Sequence, residues 1–341
     1  MNHQAPTLRA KARWVRYVAV LALIPPLMLG GCSAVKIRLG LRVSLAKTDV
    51  TAMQVSLPKG PAIAPGEKLG LVVNFTQPNG KPLATEGQAK GKVLWKDLIV
   101  TPSVVTADQK GNVTLPHDPR KSDGKTAHVT ITAPSHPDLR TELDIPVTYD
   151  YNFLANFKGS AGPDGFNGTD GTNGTNGSPG SLDPNNPSPG GDGGNGTDGG
   201  NGQDGGDGGD APAVQVLITL RPGAHSLLQM SVTAAGKRRL YLVDPQGGAL
   251  YVNADGGAGG SGGKGGSGGS GGSGGVGSPN GNNGRSGSGG TNGSDGRAGK
   301  GGSITVTYDP HAKPFLNAAI HLANHGGPTP VFIEAPVPPL W

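Results

Sequence analysis

Cysteine is almost missing from this chain: Cys32 is the only one in 341 residues. One thiol excludes an internal disulfide, so no such staple supports the fold. Aromatic residues supply only 4% of the sequence, little material with which to line a ligand pocket. The apolar run Val18–Leu29 is interrupted by Pro25 and Pro26 and falls short of the about 20 residues that span a bilayer. There is no elbow serine and no carboxylate pair in a recognisable pocket. Lys300 is followed by Gly301 rather than Ser or Thr, so the phosphate-loop pattern fails. The net charge of +5 falls to about +1 without Arg9, Lys11, Arg13 and Arg16, leaving no nucleic-acid footprint. These shortages argue against an enzyme and against a nucleic-acid partner.

What is present begins with those four basic residues. They precede the apolar run, which ends in Leu29-Gly30-Gly31-Cys32. A basic segment, a short apolar segment and small residues before a cut describe a secretory signal. The terminal tetrad resembles the lipobox of bacterial lipoproteins. That resemblance implies removal of residues 1–31, acyl chains such as palmitate on Cys32, and attachment to a membrane outside the cytoplasm. Two or more acyl chains anchor stably where one does not. Ser33 in place of aspartate resembles the pattern sorted to the outer membrane.

Glycine (62 residues) and proline (30) are abundant but unevenly spread. Four segments are expected: the signal peptide 1–31, a β-sandwich 32–155, a glycine-rich region 156–310 with interleaved strands, and a tail 311–341 packed on it. In the β region, Val35, Ile37, Leu39, Leu41, Val43 and Leu45 alternate with polar residues and predict a strand. So do Leu69–Phe75, Val93–Val100, Ala127–Ala133 and Leu139–Tyr149. Pro65-Gly66, Pro78-Asn79-Gly80, Lys110-Gly111-Asn112 and Asp123-Gly124 are the turns between them. The stretch from Pro65-Gly66-Glu67 to Asn79-Gly80-Lys81 resembles bacterial immunoglobulin-like domains, which mostly serve as spacers or adhesive modules.

From Gly159 on, glycine recurs at every third position in four runs: A (159–180), B (190–208), C (256–277) and D (281–302). Period three is the repeat of the polyproline II helix, so each run predicts a rod of roughly 70 Å. A disordered linker and a collagen-like trimer share the composition. Four features favour a bundle within one chain. The runs match in length and join as A–B and C–D hairpins. Within them proline is confined to Pro163 and Pro179. Runs B and C carry a second glycine in most triplets, which suits interior rods, with A and D at the edges. Residues 159–210 hold eight aspartates and no Lys or Arg, whereas 256–302 hold Lys264, Arg285, Arg297 and Lys300 against Asp295, which favours docking of AB on CD. Strands are expected at Val214–Ile218, Leu228–Val232, Tyr241–Val243, Leu250–Val252 and Ile304–Tyr308. The piece Gly299–Val306 resembles the glycine-rich Obg fold, in which polyproline II rods feed strands.

The fold class expected is therefore mainly β plus polyproline II: an Ig-like sandwich followed by a polyproline II bundle. Asp192, Asp198, Asp204 and Asp207 belong to an Asp/Asn ladder in run B and are candidate Ca²⁺ ligands. They recur at multiples of about 9 Å, so an ion needs oxygens from run A as well. Run A offers Asp164, Asn167, Asp170, Asn173 and Asn176, and its Thr/Asn pattern resembles glycine-rich antifreeze bundles. His321 and His325 lack the intervening glutamate of a zincin. The leading expectation is a noncatalytic, monomeric outer-membrane lipoprotein with a structural, display or adhesive role, meeting extracellular matrix, polysaccharide or an envelope protein. A calcium- or glycan-binding module and a collagen-like trimeric surface protein are the alternatives.

Overall fold

A computed structural model describes residues 36–341 except 38, 222 and 224. Leu29, Gly30, Gly31 and Cys32, the expected lipobox, lie outside the described residues. The chain is mainly β, with several sheets. It divides into two units: one comprises 68–114, 127–145 and the described residues up to Pro61, the other 62–67, 115–126 and 146–341.

The first unit holds β1 (Ala52–Ser56), β2 (Lys68–Gly70), β3 (Val72–Thr76), β4 (Pro82–Ala84), β5 (Ile99–Ser103), β6 (Thr106–Ala107), β7 (Asn112–Thr114), β8 (Ala127–Ala133) and β9 (His136–Ile145). They form the antiparallel sheets β1-β3-β4, β2-β7-β6 and β5-β8-β9. Period-two sequence becomes period-two burial most cleanly in β8, where Ala127, Val129, Ile131 and Ala133 all face the interior. Leu69, Leu71, Val73 and Phe75 are buried as their alternation requires, but Leu71 breaks the run into β2 and β3 of different sheets. Gly111 turns with φ +73° against the Trp95 ring, where a Cβ would stand 2.0 Å from the indole.

Two expected strands do not form as read. The described part of 35–45 is not extended: Gly40 adopts φ +68°, and the Leu41 and Arg42 amides donate back to the Lys36 carbonyl. Leu39 and Leu41 are left exposed, and only Val43 bridges, to Val93. Glycine's freedom at φ > 0 overrides the alternating pattern there. In 93–100, Trp95–Asp97 form a 3₁₀ turn and the strand starts only at Ile99. The turn lets the Trp95 indole N–H donate to the Glu86 carbonyl at 3.0 Å while the ring stays buried.

The second unit holds β10 (Asn152–Asn156), β11 (Val214–Arg221), β12 (Leu227–Ala234), β13 (Lys237–Val243), β14 (Ala249–Asn253), β15 (Ile304–Tyr308), β16 (Ile320–Ala323) and β17 (Val331–Glu334). One sheet is β10-β14-β16, all parallel; the other is β13-β12-β11-β15-β17. Their facing side chains share one core, which includes Phe153, Val216, Ile218, Met230, Val232, Leu250, Val252 and Val306. The tail contributes β16, β17 and a helical turn Leu316–Ala319 whose Leu316 and Ala319 enter that core. Its last residues are fastened to the second sheet: Thr219 donates to the Val337 carbonyl, and Leu340 donates to the Gln229 side chain.

This sandwich positions the glycine runs. β10 leads into run A and β14 into run C, whereas β11 follows run B and β15 follows run D. A and C thus leave one sheet in parallel, and B and D return in parallel to the other.

Candidate functional site

None of the four runs contains helix or strand, yet in each of them amides at every third position or more are bonded to another run. The first glycine of each run A triplet donates to run C: Gly159 to the Asp255 carbonyl, Gly162 to Ala258, and so on to Gly180 and Val276, at 2.7–2.9 Å. Run B donates twice, from Gly193, Gly196 and their successors to run D carbonyls, and from Gly191, Gly194 and their successors to run A. Run C donates from Gly257 through Gly275 to run B, and run D from Gly281 through Gly299 to run C. A with B, B with C and C with D are antiparallel; A with C and B with D are parallel. B and C each touch three neighbours, and A and D lie at the edges, as the glycine count requires.

Close approach explains that count. A Cβ on Gly266 would stand 2.0 Å from the Thr169 carbonyl oxygen, and one on Gly199 2.2 Å from that of Gly266. No side chain fits in that space.

The Asp/Asn ladders complete the bonding. In run A, Asp164, Asn167, Asp170, Asn173 and Asn176 accept through Oδ1 from the amides of Ser261, Lys264, Ser267, Ser270 and Ser273, always 97 residues on. In run B, Asp192, Asn195, Asp198, Asn201, Asp204, Asp207 and Asp210 accept from run D amides 90 residues on, at 2.6–2.9 Å. Run D returns the arrangement to run C through Asn283, Asn292 and Asp295. The ladder acceptors are Asp and Asn because their short side chains reach an amide on the adjoining run; Thr197 and Ser286 accept from Thr172 and Gly271 in the same way. Run C, supplied from three sides, has the most completely bonded backbone of the four.

The candidate calcium ligands Asp192, Asp198, Asp204 and Asp207 are therefore a single row, each holding one run D amide. Among the described residues, no group of three or more His, Cys, Asp or Glu side chains has metal-site geometry. Nor does any ion pair join one run to another among those residues. The charge partition between AB and CD is real in sequence, but the contacts between runs are amide bonds. His321 stacks on Tyr251 with ring centroids 4.6 Å apart. His325 lies at the foot of the ladders, where its amide donates to Asp255 at 2.7 Å. That bond and the His325 ring hold the Asp255 carboxyl below the usual carboxylate range.

No family model and no curated protein matches the sequence. Among the described residues no helix is long and apolar enough to cross a membrane. Sequence reasoning found the ladder residues of runs A and B but neither their partners nor the acceptors of run D. The missing signal was the register of the sheets: β10 pairs Asn152 with Ala249, 97 residues on, and β11 pairs Val214 with Ile304, 90 on. Those are the offsets of the A–C and B–D ladders.

Proposed function

We propose that this chain is a noncatalytic envelope lipoprotein, tethered by acyl groups on Cys32, that holds a stiff glycine-rich head away from an outer membrane. In this reading its β1–β9 unit is an immunoglobulin-like spacer. Runs A to D are four polyproline II helices packed side by side, as in the Obg fold, and their outward side chains face a polysaccharide, a matrix or an envelope protein.

One observation carries the reading of the head: the glycine amides of each run are bonded to carbonyls of another run in the same chain. A polyproline II helix makes no hydrogen bonds to itself, so such helices are stable in a compact body only when neighbours supply the partners. Because one chain supplies them all, a monomer is favoured over a collagen-like trimer. The engagement of Asp192, Asp198, Asp204 and Asp207 with run D amides supports a structural role for the ladder over a calcium site. The anchor rests on Leu29-Gly30-Gly31-Cys32.

Labelling cells with radioactive palmitate, with fractionation of wild type and Cys32→Ser, tests the tether. Label and membrane association are expected in the wild type and absent from the variant. An unlabelled wild-type chain refutes the anchor. Far-ultraviolet circular dichroism tests the runs, since a polyproline II signature lost in one cooperative step on heating is expected.

A further inference from the structure

Strands β10 and β13 are edge strands of their respective sheets, and a cleft of about 530 Å³ opens between them. Consecutive residues of both strands line it: Tyr151 to Leu154 on one side, Arg239 to Tyr241 on the other. The strands run antiparallel across it. Phe153 packs on Tyr241 with centroids 5.9 Å apart, and the Arg239 guanidinium lies 5.3 Å from the centre of the Phe157 ring.

The hydrogen-bond phase shows what faces the cleft. Tyr151 accepts from Ala249, and Phe157 donates to Asn253, so the odd residues of β10 bond to β14. Peptide groups alternate in direction along a strand, so those of Asn152, Leu154 and Asn156 point the other way, into the opening. β13 behaves likewise. The two-residue Ala235-Gly236 turn makes Ala234 and Lys237 a bonded pair, which leaves the peptide groups of Arg238 and Leu240 directed outward. Among the described residues, two rows of unbonded donors and acceptors thus flank one slot, with Leu154 61% and Tyr151 39% exposed beside it.

Charge selects the occupant. Arg239 lines the cleft, and Lys158, Lys237 and Arg238, close in sequence to the strands that form its walls, are exposed. The one carboxylate lining the cleft, Asp118, is paired with Arg120 at 2.6 Å. Asp150 and Asp244 lie towards the other end, beside the turn into β14. We infer that this seam is a strand-acceptor site, taking an extended acidic segment of a partner protein as an added strand on the free edge of β10. Main-chain bonds to Asn152 and Leu154 supply affinity, and the basic mouth supplies selection for Asp or Glu at alternate positions. The inference does not depend on the lipid anchor or on the conformation of the runs.

The test titrates the full chain with a fluorescent nonapeptide of alternating valine and glutamate, capped at both ends, and follows protein amide exchange in parallel. Saturable binding is expected, with slowed exchange at Asn152 and Leu154. Methylating alternate peptide nitrogens is expected to abolish binding, and a valine–lysine peptide is expected not to bind. Arg239→Glu and, separately, Lys237→Glu are expected to weaken it about tenfold, with circular dichroism unchanged. Failure to saturate by about 1 mM overturns the proposal. So does binding that is indifferent to N-methylation, which marks a diffuse ionic contact, or protection confined to other strands.

Discussion

At Gly266 a methyl group has nowhere to go. The site lies in the most buried row of run C, and a Cβ there would meet the Thr169 carbonyl carbon at 2.5 Å as well as its oxygen. Gly289, in run D, has its nearest such neighbour at 3.6 Å. Gly266→Ala is expected to cost about 3 kcal/mol or more, because backbone rather than a flexible side chain must move. Gly289→Ala should be close to neutral, and thermal melts of the two variants make the comparison. The ladder residues invite a gentler test. Asn201→Ala leaves the Thr291 amide without its acceptor and should cost about 0.5–1.5 kcal/mol, whereas Asn201→Asp keeps the oxygen and should cost little. The same geometry bears on chemical ageing. Deamidation of Asn-Gly needs the glycine nitrogen to attack the side-chain carbon. At Asn167, Asn173, Asn195 and Asn201 the following glycine amide is already donated to another run, and the Asn oxygen is occupied. Mass spectrometry should show these pairs ageing far more slowly in the folded chain than in urea.

Each run works as an element because a sheet sets its register. The offset of 97 passes from β10/β14 into A and C, and that of 90 from β11/β15 into B and D. One extra residue inside run B shifts every bond beyond it out of phase, whereas the same insertion in the 181–189 loop shifts none. Unfolding curves should show a large loss for an insertion after Gly199 and almost none for one after Asn185. Asp255 joins the ladders to the sheet, and its pH dependence has a defined sign. Its folded pKa is depressed by the bonds from His325, so its contribution is present above the unfolded value, about 3.9. It is lost as pH falls through the folded value. Asp255→Asn keeps an acceptor but removes this acid-sensitive share, so the stability gap between it and the wild type should shrink in acid. Elements with strict alternation, such as β8, β11 and β15, were legible in the sequence, as were the runs, their hairpins and the interior place of B and C. The strand expected at 35–45 does not form in its described part, since pattern alone does not reveal that Gly40 reverses the chain. β17 escaped notice because it is an edge strand exposed along its whole length, with no buried face to imprint a period.

At the scale of the whole molecule, a chain poor in aromatic residues builds order from backbone bonds. The sandwich of the second unit supplies an apolar core, and the runs beyond it exchange hydrogen bonds at every triplet instead of burying side chains. The partners of the ladders in runs A and B were illegible from sequence because they lie 97 and 90 residues away, and only the fold brings them together. Amide hydrogen exchange resolved along the runs of the full-length chain measures this claim most directly. The bonding requires graded protection: nearly all amides of run C slow, two in three slow in B and D, and about one in three slow in A. Uniformly fast exchange across 159–302, as in a free glycine-rich peptide, contradicts it.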